Sequence, residues 1–356
     1  MKKVLALVLA LAMVMMMFVA CKKEEEKSSE PASSVVSEPG KSSSAAGGEY
    51  DAYSLACLYS EITGDFWSVV YNGCMAALEE LKASGVEGYC IAPATGNDYT
   101  QQMDLLDAAI LKGVDGIVLC PSNADSIGTY VTDKFTDDSI PIIVIDRSLN
   151  TTSPAVVATY ASDAYAMGEG QAQMAYELYG DEEMTYVPIG ISPENQNWAD
   201  RSYGFMDYAK EHYPNFTSYT GEEPYWSSQV TEQQVIQYVQ DTVNANPDKT
   251  LCFLGVCNGH NNYIVAGLAE LGEKGKKVGV LGWDFSPTEK ANIEAGTMYG
   301  AMGQNPYLMG YDSTYMMCDY LAGKELPENA TVPFQAVTQK NIESDEVKAY
   351  MATMGM

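Results

Sequence analysis

The feature that most constrains this chain is an alternation. From Tyr53 onward, short apolar runs take turns with longer segments in which apolar residues recur every third or fourth position. The runs fit strands buried on both faces, and the periodic segments fit helices with one buried stripe. Residues 53–58, 88–92, 116–119 and 141–145 read as strands. Residues 66–84 read as a helix with Val70, Cys74, Ala77, Leu78 and Leu81 on one face. Residues 98–112 read as a helix with Met103, Leu106 and Ile110 in register, and a further helix lies between 119 and 141. The pattern then starts again, with strands at 184–190, 216–219, 251–256 and 278–283 and helices near 195–212, 229–245 and 261–271. Such alternation predicts parallel sheets covered on both faces. Two sets of similar size predict an α/β protein of two doubly wound parallel-sheet lobes. Ligands in such sheets lie beyond the carboxyl ends of the strands, and two facing lobes enclose a cleft.

The first 49 residues do not share this pattern. Lys2 and Lys3 precede an apolar stretch from Val4 to Val19, too short for an ordinary span, and residues 1–20 read as a signal peptide. Phe18-Val19-Ala20-Cys21 looks like a bacterial lipobox, with Cys21 as the acylated residue, although Phe18 stands where Leu is usual. Residues 21–49 are rich in Lys, Glu, Ser, Pro, Ala and Gly and read as a disordered tether from the lipid anchor. This predicts a protein held at the outer face of the bacterial cytoplasmic membrane.

The chain carries a net charge of −28. Charge of that sign repels phosphate backbones, which argues against nucleic-acid binding, and it disfavours electrostatic attachment to anionic lipid. Besides Cys21 there are cysteines at 57, 74, 90, 120, 252, 257 and 318. Several lie inside strand-like runs and read as small buried hydrophobes. Many free thiols in an exported protein point to a reducing or anaerobic habitat. With no CxxC and only His212 and His260, neither a metal site nor a cofactor is expected.

The polar residues just after the apolar runs carry the chemistry. Asp146 and Arg147 follow the run ending at Ile145, Asp284 follows Trp283, Asn258 follows Cys257, and Gln304 follows Met302-Gly303. Phe66 and Trp67 head the first helix, Arg201 lies early in a helix of the second set, and Trp226 precedes another. Carboxylates accept from paired hydroxyls, arginine and amides donate, and aromatic rings cover an apolar ring face. Together these groups suit a sugar. Taken singly, Asp146–Arg147 would be a surface ion pair, Asp284 a helix cap, and Phe66 and Trp67 core anchors.

Several motifs stand in one order: Gly64-Asp65-Phe66-Trp67, Leu111-Lys-Gly-Val-Asp-Gly-Ile-Val118, Ile140-Pro-Ile-Ile-Val-Ile-Asp-Arg147, Ala161-Ser-Asp163, Asp200-Arg-Ser-Tyr-Gly-Phe205 and Gly282-Trp-Asp284. In these the chain resembles the ribose-binding-protein family of periplasmic-type sugar receptors, from about Tyr53 to Gln339. The resemblance implies stacking by Phe66, Trp67 and Trp226, and polar contacts from Asp146, Arg147, Arg201, Asn258, Asp284 and Gln304. It implies a three-segment hinge near 162–163, 304–305 and 331–332, with a first lobe of 51–162 plus 305–332 and a second of 163–304 plus 333–356. It implies a monomer that closes on a monosaccharide and delivers it to an ABC transporter permease. Gly64 stands where the family has asparagine, the segment around Asn258 is about two residues longer, and Asn197 and Trp198 replace small residues. These departures bear on which sugar is bound.

Three other readings were weighed. A glycoside hydrolase could use Asp146 and Asp284 as acid and base, but each sits beside cation or amide donors, which suits ionised acceptors better. A sugar-responsive transcription factor would need a basic DNA-binding segment before residue 50, where the signal-like stretch and tether stand. A sensor presenting its sugar to a membrane receptor shares every feature above. Gly168-Glu-Gly170 lacks the third glycine and preceding strand of a dinucleotide loop.

Overall fold

The computed structural model describes residues 50–356 except 195, 328 and 329. Cys21 and the signal-like and tether segments lie outside the described residues.

The first sheet holds β1 (Ser54–Leu58), β2 (Glu87–Ile91), β3 (Gly116–Leu119), β4 (Ile142–Ile145) and β5 (Val156–Tyr160), ordered β2-β1-β3-β4-β5 with every pair parallel. The helices between them are α1 (Gly64–Leu81), α2 (Tyr99–Lys112) and α3 (Ala124–Lys134). β1, β3 and β4 are buried along almost their whole length, as strands covered on both faces must be.

The second sheet begins after α4 (Ala164–Tyr179). It comprises β6 (Met184–Gly190), β7 (Phe216–Ser218), β9 (Leu251–Leu254), β10 (Gly279–Trp283), β11 (Gly300–Gln304) and β12 (Phe334–Thr338), ordered β12-β11-β10-β9-β6-β7; the short β8 (Tyr225–Trp226) pairs with the end of β6. Its helices are α5 (Gln196–His212), α6 (Glu232–Ala245), α7 (Asn258–Glu270) and α8 (Pro287–Glu294). After β11 the chain runs into α9 (Pro306–Leu321), which packs on α1; α10 (Asp345–Thr353) follows β12.

The structure departs from the sequence expectation in several places, and β8, β12, α8, α9 and α10 carry no strand or helix reading above. β12 runs antiparallel to β11, so the second sheet is mixed. β5 and α4 were not read from the pattern. α7 starts at Asn258, three residues before the expected helix, so Asn258 is a first-turn residue.

Two helix pairs cross through glycine. A Cβ on Gly73 of α1 would stand 2.0 Å from the Tyr307 carbonyl oxygen, and one on Gly310 of α9 would stand 2.0 Å from that of Val70. In the second pair, a Cβ on Gly168 of α4 would meet the Arg201 carbonyl oxygen at 2.7 Å, and one on Gly204 of α5 that of Tyr165 at 2.2 Å. Backbones this close leave room only for hydrogen. Gly168, which lacks the context of a dinucleotide loop, is a helix-crossing residue. The first crossing fixes the helix that carries Phe66 and Trp67, and the second fixes the helix that carries Arg201.

The seven cysteines of the described residues are all unpaired, and only Cys90 and Cys257 are not fully buried. No group of three or more His, Cys, Asp or Glu among the described residues could hold a metal ion.

Candidate functional site

Only three non-glycine residues among those described have a left-handed backbone: Asn97 (φ 62°), Asp146 (φ 61°) and Asp284 (φ 65°). Such residues are uncommon, and a cluster of them is a pointer to function. Asp146 and Asp284 each come directly after a strand, β4 and β10. The turn diverts the chain so that the carboxylate stands at the strand's end.

Around Asp146 the neighbours are cationic. Arg147 Nε lies 3.6 Å from Asp146 Oδ2. Arg147 Nη1 donates to Asn97 Oδ1 at 2.6 Å and to the Pro121 carbonyl at 3.4 Å. Its guanidinium lies 5.4 Å from the Trp67 ring, and Phe66 meets Trp67 edge-on at 5.1 Å. Burial raises the Asp146 pKa; Arg147 and Arg201 oppose the rise, and Asp284 adds to it. Arg147, Arg201 and Asp284 therefore all lie within electrostatic reach of Asp146, although Arg201 and Asp284 come from the half of the chain that forms the second sheet.

Arg201 is 7% exposed. It donates from Nη1 to the Val256 carbonyl at 2.8 Å, and from Nε and Nη2 to Asn197 Oδ1 at 3.3 and 3.1 Å. It also stacks 4.8 Å from the ring of the fully buried Trp283. Asn197, one helical turn before Arg201, thus orients it.

Asp284 is held differently. Gln304 Nε2 donates to Asp284 Oδ1 at 2.8 Å, and the backbone oxygen of Gln304 accepts from the Tyr350 hydroxyl at 2.6 Å. Asn258 Nδ2 donates to Glu289 Oε2 at 2.8 Å. Beside α7's first turn, His260 Nε2 lies 2.8 Å from Ser227 Oγ. Burial lowers its pKa to about 4, with Arg201 adding to the drop and the Ile189 backbone opposing it.

A cavity of about 200 Å³ brings Asn258, Asp284 and Gln304 together with Asp65, Phe66 and Pro306. Phe285, Met354 and Met356 add apolar wall. Trp67, Asp146, Arg147, Arg201 and Trp226 are not among the lining residues. The Trp226 ring lies against Gly190, edge-on to Tyr203 at 6.1 Å, and its Nε1 donates to Glu223 at 3.3 Å. Sequence reasoning missed Asn97, Trp283 and Glu289 and did not assign Asn197 a role. A Gly96-Asn97 turn and the Ser286-Pro-Thr-Glu289 capping signature were the only signals for the first and third.

A family model described as a periplasmic binding protein domain matches residues 56–325. The chain is 24% identical over 245 residues to the ribose import binding protein RbsB of Bacillus subtilis, covering 68% of this chain and 75% of that protein. It is 25% identical over 264 residues to the xylose/arabinose-binding protein XylF of Sulfolobus acidocaldarius, covering 69% of this chain and 62% of that one. In fold it resembles an ABC transporter solute binding protein from Agrobacterium vitis solved with bound D-fucose, with a TM-score of 0.67, 22% identity and coverage of 83% and 98%. The arabinose binding protein AraP of Geobacillus stearothermophilus gives a TM-score of 0.68 at 19% identity, over 82% of this chain and 98% of that one. With most of its length matched by the family model and two α/β sheets arranged as described, this chain belongs to the periplasmic binding protein domain family.

Proposed function

We propose that the chain is an extracytoplasmic solute-binding protein that captures a monosaccharide between its two sheets and delivers it to an ABC permease. The observation that carries this reading is a set of charged groups from both halves within electrostatic reach of Asp146, one of which, Asp284, lines a cavity with Phe66, Asn258 and Gln304. Asp146 and Asp284 accept from hydroxyls, and the free guanidinium hydrogens of Arg147 and Arg201 donate to ring and hydroxyl oxygens. Phe66 and Trp67 cover the sugar's apolar face. Trp226 completes that cover when the cleft closes, and Asn258 and Gln304 supply the remaining polar contacts. A ligand touching both lobes (51–162 plus 305–332, and 163–304 plus 333–356) favours the closed form, since only there are all its contacts made. The protein acts as a binder and not as an enzyme, works as a monomer, and is held to the membrane by a lipid on Cys21 after removal of residues 1–20. Relatives named for ribose, xylose and arabinose support a pentose or hexose as ligand.

A thermal-shift screen of the protein against a panel of monosaccharides tests this. A true ligand at one hundred times its Kd stabilises by about 2.7 kcal/mol. Asp146→Ala and Arg147→Ala are expected to abolish the shift while leaving the protein folded. No response to any sugar would remove the reading, and a full response in both variants would remove the site.

A further inference from the structure

Glu289 is a fully buried carboxylate that does not line the cavity. It sits in the first turn of α8 and completes a capping box with Ser286. That cap uses only part of it. Oε2 accepts from Ser286 N at 3.2 Å, from Ser286 Oγ and from Asn258 Nδ2; Oε1 accepts from Asn261 Nδ2 at 3.1 Å. Asn261 is itself locked, its Nδ2 donating to the Trp283 carbonyl at 2.8 Å and its Oδ1 accepting from Trp283 N at 3.3 Å. Burial raises the Glu289 pKa, and these donors oppose the rise. A carboxylate surrounded by donors can only accept, so the Asn258 amide must turn its nitrogen inward.

The consequence lies on the cavity side. Asn258 lines the cavity, and with its nitrogen turned to Glu289 its carbonyl oxygen is turned away from that carboxylate. Gln304 is turned the same way, because its Nε2 is committed to the acceptor-only Asp284. No lysine, arginine or histidine lines this cavity. The corner formed by Asn258, Asp284 and Gln304 is therefore rich in acceptors, the Asp284 carboxylate and two amide oxygens, with one N–H of each amide already committed to a carboxylate.

We propose that Glu289 is a positioning residue that sets the hydrogen-bond polarity of this corner, turning the Asn258 oxygen toward the ligand so that the corner selects a hydroxyl that donates. The inference rests on the reading of the cleft as a sugar site. It assigns the facing ligand position a hydrogen-bond donor, and it disfavours ligands that carry only an acceptor there.

The probe is a monosaccharide that binds the wild-type protein, together with its monodeoxyfluoro analogues, in which fluorine keeps the size of a hydroxyl but cannot donate. Wild type is expected to lose about tenfold in affinity when fluorine replaces the hydroxyl facing Asn258. Glu289→Met fills the same space with no acceptor and frees the amide to turn. The penalty at that one position should fall to within about twofold, while the penalties at the other positions persist. A purely structural role for Glu289 would weaken all these sugars in proportion and leave every ratio as it was, and that result overturns the inference. Glu289→Gln gives a second test that does not depend on Glu289→Met folding. Its amide can donate as well as accept, so the Asn258 amide is no longer held one way and the penalty at that position should shrink while the others persist; an unchanged penalty in this variant would overturn the inference. Failure of wild type to bind any sugar would overturn the sugar reading and this inference with it.

Discussion

Asp146 and Asp284 make the same backbone gesture in two different sheets, and they are stabilised in two different ways. Both follow a buried strand and turn into the left-handed region, at φ 61° and 65°. Aspartate tolerates that conformation better than most residues, but it still costs on the order of 1 kcal/mol. Asp146 then has a cation as its next residue, and that arginine is steered by Asn97 and the Trp67 ring. Asp284 is met instead by an amide, Gln304, beside a second amide anchored on buried Glu289. One corner balances charge with charge. The other passes polarity along neutral amides, so its behaviour depends on packing more than on ions.

The largest effects should come from neutralising the acids themselves. Asp146→Asn leaves Arg147 and Arg201 without their carboxylate, and ligand affinity should fall by about 2–5 kcal/mol in titration calorimetry. Asp284→Asn removes an acceptor bonded to an amide, for which about 1–2 kcal/mol is expected. Equal losses would break the contrast between the corners.

The second corner should also carry a pH signature. His260 titrates near 4 in the folded protein against 6.5 for the free side chain, because burial disfavours its charged form. The unfolded chain therefore binds the extra proton between those values. Stability is fully present above about 6.5 and is lost as pH falls toward 4, by on the order of 3 kcal/mol. Urea unfolding of His260→Gln at pH 7 and pH 4.5 should show a smaller loss than wild type.

A somewhat smaller effect is expected at the helix crossings that present each corner. Gly310→Ala and Gly204→Ala drive a methyl group into a facing carbonyl oxygen, and each should lower stability by about 2 kcal/mol, seen as a lower Tm. The smallest effect has the opposite sign. Asp284→Gly relieves the left-handed backbone and should stabilise the empty protein by up to about 1 kcal/mol while ligand response is lost. Asp146→Gly should gain less, since it also gives up the Arg147 pair.

Much of this arrangement was legible in the residues. Apolar runs fixed the strands at 116–119 and 184–190 to the residue, because a fully buried strand needs no partner to be recognised. A polar residue directly after such a run, as at Asp146 and Asp284, marks a strand's carboxyl end. The direction of β12 was not legible, because antiparallel pairing with β11 depends on where the chain returns and not on its side chains. The start of α7 was misplaced because Asn258 and Gly259 are poor helix formers, and a tertiary bond from Asn258 to Glu289 helps to hold that turn. Glu289 itself reads as a capping residue. Only folding reveals that its remaining lone pairs reach another helix.

The unpaired cysteines carry one last consequence. Among the described residues most are stowed in strands and helix faces as space-filling side chains, and none of these is paired. Folding of this body then requires no thiol oxidant and no isomerase to sort partners. The same folded body should ripen equally well in aerated and in oxygen-free surroundings, with Cys90 and Cys257 the first of the described thiols an alkylating reagent would reach.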